Sequence, residues 1–204
     1  MSSLMEFFHA AERLKNELRH AYKSNGLQES VAEHSWRVCL MTMFLSETIE
    51  GIDRHKCLKM ALIHDLPEIF AGDAYRLDLE KQAGRHEKEK AALEKLVKLL
   101  PDGTAGEITM LWLEFEAGTT REARLVRLID RLEVLVQHNE SDIAKWSRLE
   151  KQIQYGLAEK HAEYYGFLND LALEIDEETR KKLSEAGSPT EKLQQTTYDR
   201  YYGT

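Results

Sequence analysis

Apolar residues along most of the chain recur every three or four positions, the spacing that places them on one face of an α-helix. Three such stripes occupy residues 4–18, 31–45 and about 54–64. We find no run of alternating polar and β-branched residues of the kind that indicates a strand. The pattern therefore predicts an all-α protein, a bundle of amphipathic helices.

Turn-forming residues divide this helical pattern. Asn25-Gly26 lies in a polar stretch and indicates a turn, and Pro67 is expected to interrupt the third helix. A long charged helix is expected over about 79–100, with further helices over about 105–116, 120–139 and 143–175. We expect residues 1–187 to form one domain. Residues 188–204 are expected to be a polar tail, loosely ordered or docked onto a neighbouring subunit.

Composition narrows the possible functions. The 204 residues carry a formal charge of −8, which argues against a protein that binds nucleic acid, although a small phosphorylated substrate remains compatible. The first residues lack the pattern of a secretion signal, and no apolar run approaches the ~20 residues of a membrane span. Cys39 and Cys57 lie in apolar helical stretches and are expected to be small buried hydrophobes. We therefore expect a cytoplasmic protein without membrane partners.

Four polar residues fall on apolar helix faces. His34 shares the stripe of the second helix, His64-Asp65 ends the third, and Asp130 lies in the apolar segment 125–132. Taken singly, each has an ordinary interpretation, such as a hydrogen-bonded core histidine or an aspartate paired with a neighbouring arginine. Together, two imidazoles and two carboxylates on three inward-facing helices make a plausible site for a divalent metal.

The order of these motifs resembles the H…HD…D pattern of the HD-domain superfamily. The segments 29–35, 56–68 and 71–73 are further similar to its 5′-deoxynucleotidase branch, and the similarity spans roughly residues 5 to 175. The resemblance implies an HD-domain helical bundle whose metal ligands are His34, His64, Asp65 and Asp130. Co, Mn, Zn, Ni and Fe all remain possible, because the ligand set lacks thiolates.

The resemblance also assigns roles to other residues. Glu68 would orient or deprotonate the attacking water, Asp73 would contact the substrate and help to position that water, and Arg19 would bind the substrate phosphate. One departure from the family follows Arg19 directly, where His20 replaces the usual tryptophan. The other histidines (His55, His86, His138 and His161) lie mostly among charged residues, which indicates surface positions.

The implied function is a phosphohydrolase that releases phosphate from deoxyribonucleoside 5′-monophosphates. Two alternatives stay open: hydrolysis of another phosphorylated metabolite, such as a cyclic nucleotide or a guanosine polyphosphate, and a metal-stabilised nucleotide sensor without turnover. A purely structural bundle would leave the inward polar residues unexplained. A homodimer is also expected, because the resembled family tends to dimerise and some apolar residues exceed the needs of one small core: Trp112, Leu113, Phe115, Tyr164, Tyr165 and Phe167.

Overall fold

The computed structural model of the chain describes residues 2–162 and 168–202, and these are predominantly helical. The chain divides into two compact units, residues 1–20 with 29–130 and residues 21–28 with 131–204. The helices are α1 Ser2–Ala11, α2 Val31–Leu45, α3 Arg54–Ile63, α4 Glu68–Ala71, α5 Leu79–Gln82, α6 Arg85–Val97, α7 Asp102–Ala117, α8 Arg121–Glu140, α9 Arg148–Ile153, α10 Leu157–Ala162, α11 Asn169–Glu185 and α12 Gln195–Tyr202. The predicted all-α class is confirmed.

A short β-hairpin is the main departure from the expected pattern. The first helix ends at Ala11 instead of continuing to Leu18, and strand β1 (Leu18–Tyr22) pairs with strand β2 (Gln28–Ser30). The predicted turn at Asn25-Gly26 connects the two strands, with Gly26 at φ +83°. Glycine accepts this positive φ, and Asn25 Oδ1 accepts a hydrogen bond from the Leu27 amide at 3.0 Å, so the turn favours paired strands over a helix here.

Glycines also divide two helices that were expected to be continuous. The expected helix over 79–100 is broken between α5 and α6, where Gly84 has a left-handed φ of +72°. The expected helix over 143–175 is divided into α9, α10 and the start of α11, and Gly156 has φ +86° between the first two. Helical backbone requires a negative φ, so each of these glycines ends the preceding helix.

A capping box fixes the start of α2, the helix that carries His34. The Ser30 hydroxyl accepts a hydrogen bond from the Glu33 amide at 3.2 Å, and the Ser30 amide donates to Glu33 Oε2 at 2.8 Å. This reciprocal pair satisfies two amides at a helix start and is typical of a well-defined N-terminus. The first turn of α2, and with it His34, is thereby held in place.

Buried apolar side chains pack the interior of the first unit, and two of the residues expected to exceed the needs of one core are among them. Trp112 is fully buried and Phe115 is 5% exposed, so both are core residues of their own chain and are not surplus to it. Leu113 is 38% exposed. Tyr164, Tyr165 and Phe167 lie outside the described residues.

The second unit is organised around buried polar groups and the C-terminal segment. Asp176 on α11 accepts hydrogen bonds from three backbone amides at the start of α10, at 2.9 to 3.2 Å. Residues 188–202 differ from the expected loose tail. They include α12, and the Leu193 amide donates to the Tyr155 carbonyl at 2.8 Å. A salt bridge of 2.6 Å between Lys192 and Glu159 adds to this attachment to the same chain.

Among the described residues, no helix combines the length and the apolar character needed to cross a bilayer.

Candidate metal centre and active site

His64 and Asp65 lie in the turn where α3 ends. Pro67 follows, and a proline has no amide hydrogen with which to continue the helix, so the chain turns at this point. His64 Nδ1 lies 2.8 Å from the Ala61 carbonyl oxygen and donates to it. This hydrogen bond places the proton on Nδ1, and Nε2 keeps its lone pair for a ligand.

The structure brings the four residues predicted as metal ligands together. His34 Nε2 lies 3.0 Å from Asp130 Oδ1 and 3.7 Å from Asp65 Oδ2. His64 Nε2 lies 3.2 Å from Asp65 Oδ2 and 3.8 Å from Asp130 Oδ1. His34, His64 and Asp130 each offer a ligand atom within 4.8 Å of the other two, and Asp65 Oδ2 lies beside both imidazole nitrogens. We refer to these four residues as the metal cluster, and their ligand role remains a prediction.

Hydrogen bonding within the metal cluster tests whether a metal ion fits. His64 Nε2 and Asp65 Oδ2 are both buried and have no hydrogen-bond partner among the residues that the structure describes. With the His64 proton on Nδ1, both atoms are acceptors, and they lie only 3.2 Å apart. A buried acceptor without a partner costs about 1–3 kcal/mol. A cation between the two atoms would satisfy both, and imidazole with carboxylate is a donor set suited to divalent transition metals. The residues present therefore fit a divalent metal ion.

Charges in the metal cluster are mutually stabilised. Burial raises the pKa of Asp65, but His64, His34 and Arg19 outweigh burial and bring the pKa well below its usual range. Burial likewise raises the pKa of Asp130, and the hydrogen bond from His34 outweighs it, so this pKa is also lowered. Burial lowers the pKa of His64, whereas the two aspartates raise it, with a net increase, so a proton and a metal cation compete for the same Nε2 lone pair. Both carboxylates are thus held ionised, as a metal ligand must be.

Arg19 lies at the edge of the metal cluster, among three carboxylates. Its Nε is 3.3 Å from Glu29 Oε2, and its Nη1 is 3.5 Å from Asp65 Oδ2 and 3.8 Å from Asp73 Oδ1. Burial lowers the pKa of Arg19. These carboxylates and Glu68 raise that pKa by more than burial lowers it, so the guanidinium stays charged. A planar, permanently charged guanidinium beside the cluster is suited to bind phosphate oxygens in a bidentate manner.

Glu68 and Asp73 lie next to the metal cluster without belonging to it. Glu68 is 4% exposed, and its Oε2 has no hydrogen-bond partner among the described residues. Burial, together with Asp65 and Asp73, raises the pKa of Glu68 well above its ordinary value. Burial also raises the pKa of Asp73, against the effect of Arg19. A carboxyl group whose pKa is raised towards neutrality has the basicity that a general base requires.

Glu17 was missed by the sequence analysis, although it connects the Asp73 loop with the start of α2. Its Oε1 accepts a hydrogen bond from the Asp73 amide at 3.0 Å, and its carbonyl accepts one from the Val31 amide at 3.0 Å. It thereby links the Asp73 loop to the start of α2. Nothing in the local sequence distinguishes Glu17 from an exposed helix residue, because both contacts depend on the tertiary structure.

His20 lies where the resembled family usually has tryptophan. Its ring, too, contacts an aromatic side chain. The His20 ring stacks on Tyr75 with ring centroids 3.9 Å apart and planes 27° from parallel. A ring therefore still occupies the position of the family's tryptophan, and Tyr75 covers one of its faces.

Comparison with known proteins gives a consistent result. A family model described as HD domain matches residues 11–165. The chain is 33% identical to the 5′-deoxynucleotidase HDDC2 of Danio rerio over 142 residues, which cover 69% of this chain and 70% of that protein. It is 29% identical to the 5′-deoxynucleotidase hdd1 of Schizosaccharomyces pombe over 189 residues, covering 86% and 91% of the two chains.

A solved structure shows the same fold. The crystal structure of a predicted metal-dependent phosphohydrolase from Magnetospirillum magnetotacticum MS-1 superposes with a TM-score of 0.76 at 29% identity, covering 89% of this chain and 93% of that one. The family model alone matches well over half of the chain, and it includes all four residues of the metal cluster. The resemblance drawn from the sequence motifs is confirmed, and the chain belongs to the HD domain family.

Proposed function

We propose that this protein is a metal-dependent phosphoric monoester hydrolase that releases phosphate from deoxyribonucleoside 5′-monophosphates. Membership of the HD domain family and the likeness to proteins named 5′-deoxynucleotidase support this substrate class. The observation that carries the proposal is a pair of buried acceptors, His64 Nε2 and Asp65 Oδ2, without hydrogen-bond partners among the described residues. The guanidinium of Arg19 lies 3.5 Å from the second of them.

In this proposal His34, His64, Asp65 and Asp130 hold one divalent ion. Such an ion, when bound, supplies Lewis acidity for the phosphoryl oxygens and for the nucleophilic water. Co, Mn, Zn, Ni and Fe are all compatible with two imidazole and two carboxylate donors. The protein's own contribution is the fixed tautomer of His64, set by the Ala61 carbonyl, and the two ionised aspartates.

Glu68 is proposed as the general base. It is buried three residues after Asp65, and its raised pKa increases its affinity for a proton taken from the attacking water. The water oxygen forms a new bond to phosphorus as the bond between phosphorus and the 5′ ester oxygen breaks. Glu68 then passes the proton it took from the water to the departing 5′-oxygen, so the products are the nucleoside and inorganic phosphate. Glu68 is not assigned as a ligand, so its removal should leave metal binding intact.

Arg19 and Asp73 are proposed as substrate-binding residues. Arg19 Nη1 lies 3.5 Å from Asp65 Oδ2 and 3.8 Å from Asp73 Oδ1, so a phosphate bound to this guanidinium would be next to the metal cluster. Asp73 follows Gly72, whose φ of +76° turns the chain back towards Arg19. Asp73 can accept a hydrogen bond from a sugar hydroxyl or from the attacking water, and Glu17 holds its amide in place.

A phosphate-release assay tests the proposal. The wild type is offered deoxy- and ribonucleoside 5′-monophosphates, a cyclic nucleotide and a guanosine polyphosphate, with Co, Mn or Zn added. We expect turnover of the deoxyribonucleoside 5′-monophosphates and its loss with a chelator. Turnover of only the cyclic nucleotide or the polyphosphate would show that the protein is an HD-domain phosphohydrolase with a different substrate class. Nucleotide binding with no turnover of any compound would replace the enzyme by a sensor.

We also propose that two copies form a homodimer through an exposed apolar stripe on α2. At offsets of 4, 7 and 8 residues from the first, its members share one face of the helix and are 37% to 65% exposed: Trp36, Leu40, Met43 and Phe44. A stripe of this kind, unusual on a monomer surface, can pair with itself across a two-fold axis. Light scattering of the wild type and of Trp36→Lys tests this proposal. The mass of a single chain for both proteins would contradict it.

A cytoplasmic location remains part of the proposal. Both cysteines of the chain are free thiols in the structure, so neither forms a disulfide. Free cysteines are typical of proteins in a reducing compartment.

A further inference from the structure

A cavity opens next to the metal cluster, on the side of Asp73. It has a volume of about 220 Å³ and lies between the 71–74 loop and the residues of α5 and α6. Asp73 lines it, and Asp73 Oδ1 is also 3.8 Å from Arg19 Nη1. The cavity therefore adjoins the residues proposed to bind the substrate, and its other walls take no part in the proposed function.

Its walls are unusually cationic for a chain with a formal charge of −8. Lys81, Arg85 and Lys88 line it, against the two carboxylates of Asp73 and Glu89. Arg85 Nε donates to Glu89 Oε1 at 2.5 Å, so these two groups partly neutralise each other. The ammonium groups of Lys81 and Lys88 form no ion pair within the part of the chain that the structure describes.

Two further features favour an anion in this cavity. The first turn of α6 begins at Gly84, which provides no side-chain cap, and unbonded amides at a helix start attract negative charge. Burial raises the pKa of Glu89 to about 7 despite Arg85, so near neutral pH this acid carries only part of its charge. Burial lowers the pKa of Arg85, but Glu89 and Asp65 outweigh it, and the guanidinium stays charged within electrostatic reach of the metal cluster.

We propose that this cavity is a phosphate subsite in which Lys81, Arg85 and Lys88 hold a phosphate group beside Asp73. The identity of the anion rests on the proposed function. The phosphate is either the one released by hydrolysis, held before it leaves, or a second phosphoryl group carried by a nucleotide. In both cases the recognising groups are two flexible ammonium groups and a guanidinium fixed by its pair with Glu89.

Calorimetric titration of the Co-loaded full chain with inorganic phosphate tests the subsite without requiring turnover. We expect the dissociation constant to rise about tenfold in Lys81→Met/Lys88→Met, as for the loss of charge-assisted hydrogen bonds. The matched control is Lys90→Met/Lys98→Met, which removes the same charge from exposed positions of the α6 region outside the cavity. We expect less than a twofold change in the control, and recovery of affinity in Lys81→Arg/Lys88→Arg.

An equal change in the two Met pairs, or no change in either, would overturn the subsite. All four lysines are exposed, so unfolding of the variants is not expected, and circular dichroism checks this directly. The titration is also independent of the proposed function. A wild type that hydrolyses no deoxynucleotide would refute the enzyme assignment, whereas the lysine dependence of phosphate binding would still establish or overturn the cavity as an anion site.

Inhibition of deoxyadenosine 5′-monophosphate hydrolysis separates the two sources of the anion. Released phosphate held in the cavity would inhibit in a mixed manner, because it can bind together with the substrate, and the effect would weaken in the Lys81/Lys88 variant. A second phosphoryl group would instead make deoxyadenosine 5′-diphosphate a competitive inhibitor whose affinity falls in the same variant. Inhibition by both compounds that is insensitive to these lysines would contradict the proposal.

Discussion

Each of the two units buries histidine beside carboxylate, but the hydrogen bonding of the two groups is opposite. In the first unit, His64 Nε2 and Asp65 Oδ2 are buried without hydrogen-bond partners among the described residues, although Arg19 Nη1 lies 3.5 Å from Asp65 Oδ2. In the second unit, His138 Nδ1 lies 2.8 Å from the Val134 carbonyl and Nε2 lies 2.9 Å from Glu150 Oε1. The other oxygen of Glu150 accepts a hydrogen bond from the Ser147 amide at 2.6 Å.

This difference separates a ligand site from a structural pair. Each group sets a buried histidine beside a buried acid, so neither residue class nor burial distinguishes them. A fully bonded pair stabilises the fold without a ligand, whereas two unbonded buried acceptors only 3.2 Å apart favour a cation between them. The second unit adds another satisfied example in Asp176, which is 1% exposed and accepts three backbone amides.

Removal of a carboxylate from the metal cluster should have the largest effect on function. Asp65→Ala is expected to lose bound metal and reduce phosphate release to background, since it deletes an ionised oxygen at the centre of the cluster. Metal analysis of the purified variant and the phosphate assay check both results. Retention of one metal per chain and of activity in Asp65→Ala would show that the unpaired acceptors do not mark a ligand site.

Replacement of Glu68 should separate catalysis from metal binding. Glu68→Gln keeps the size of the side chain but removes its basicity, so turnover should fall by about 10²–10⁴-fold while the metal content stays at the wild-type value. Glu177→Gln, an exposed residue of α11, is the matched control and should keep wild-type turnover. Full activity in Glu68→Gln would refute its role as base even if the metal site is right.

Metal removal should affect the two units unequally. A ligand present at a hundredfold excess over its dissociation constant stabilises the state that binds it by about 2.7 kcal/mol. Hydrogen exchange with and without a chelator should therefore show lower protection of α2 and α3 in the metal-free protein, and little change in α9 and α11. Equal loss of protection in both units would remove the contrast between them.

A substitution in the second unit should affect stability without affecting chemistry. Asp176→Ala leaves three amides at the start of α10 without their acceptor, at an expected cost of about 1–3 kcal/mol in the free energy of unfolding by urea. Metal content and kcat/KM at low temperature should match the wild type. Asp176→Asn keeps one acceptor oxygen and should cost less, so a loss of metal in either variant would contradict a purely structural role.

Much of the candidate site could be predicted from sequence because its motifs are local. His64 and Asp65 are adjacent in the chain, and Glu68 and Asp73 follow within eight residues, so their spacing carries the resemblance. His138 was expected on the surface because its neighbours are polar. It is 5% exposed, and its partner Glu150 is twelve residues away on another helix. Likewise His161 is 7% exposed and was expected on the surface.

The sequence alone determined the helical class, the turn at Asn25-Gly26 and the H…HD…D motif. Each of these depends on residue type and on spacing along the chain: helical periodicity, the φ that glycine accepts, and the order of the H…HD…D residues. Tertiary structure decided which buried polar atoms find partners, and it brought Glu17 to the Asp73 amide and Lys81 and Lys88 to one cavity. Hydrogen bonds and electrostatic fields depend on distances of a few ångströms between residues far apart in sequence, and only the packing of the helices sets those distances.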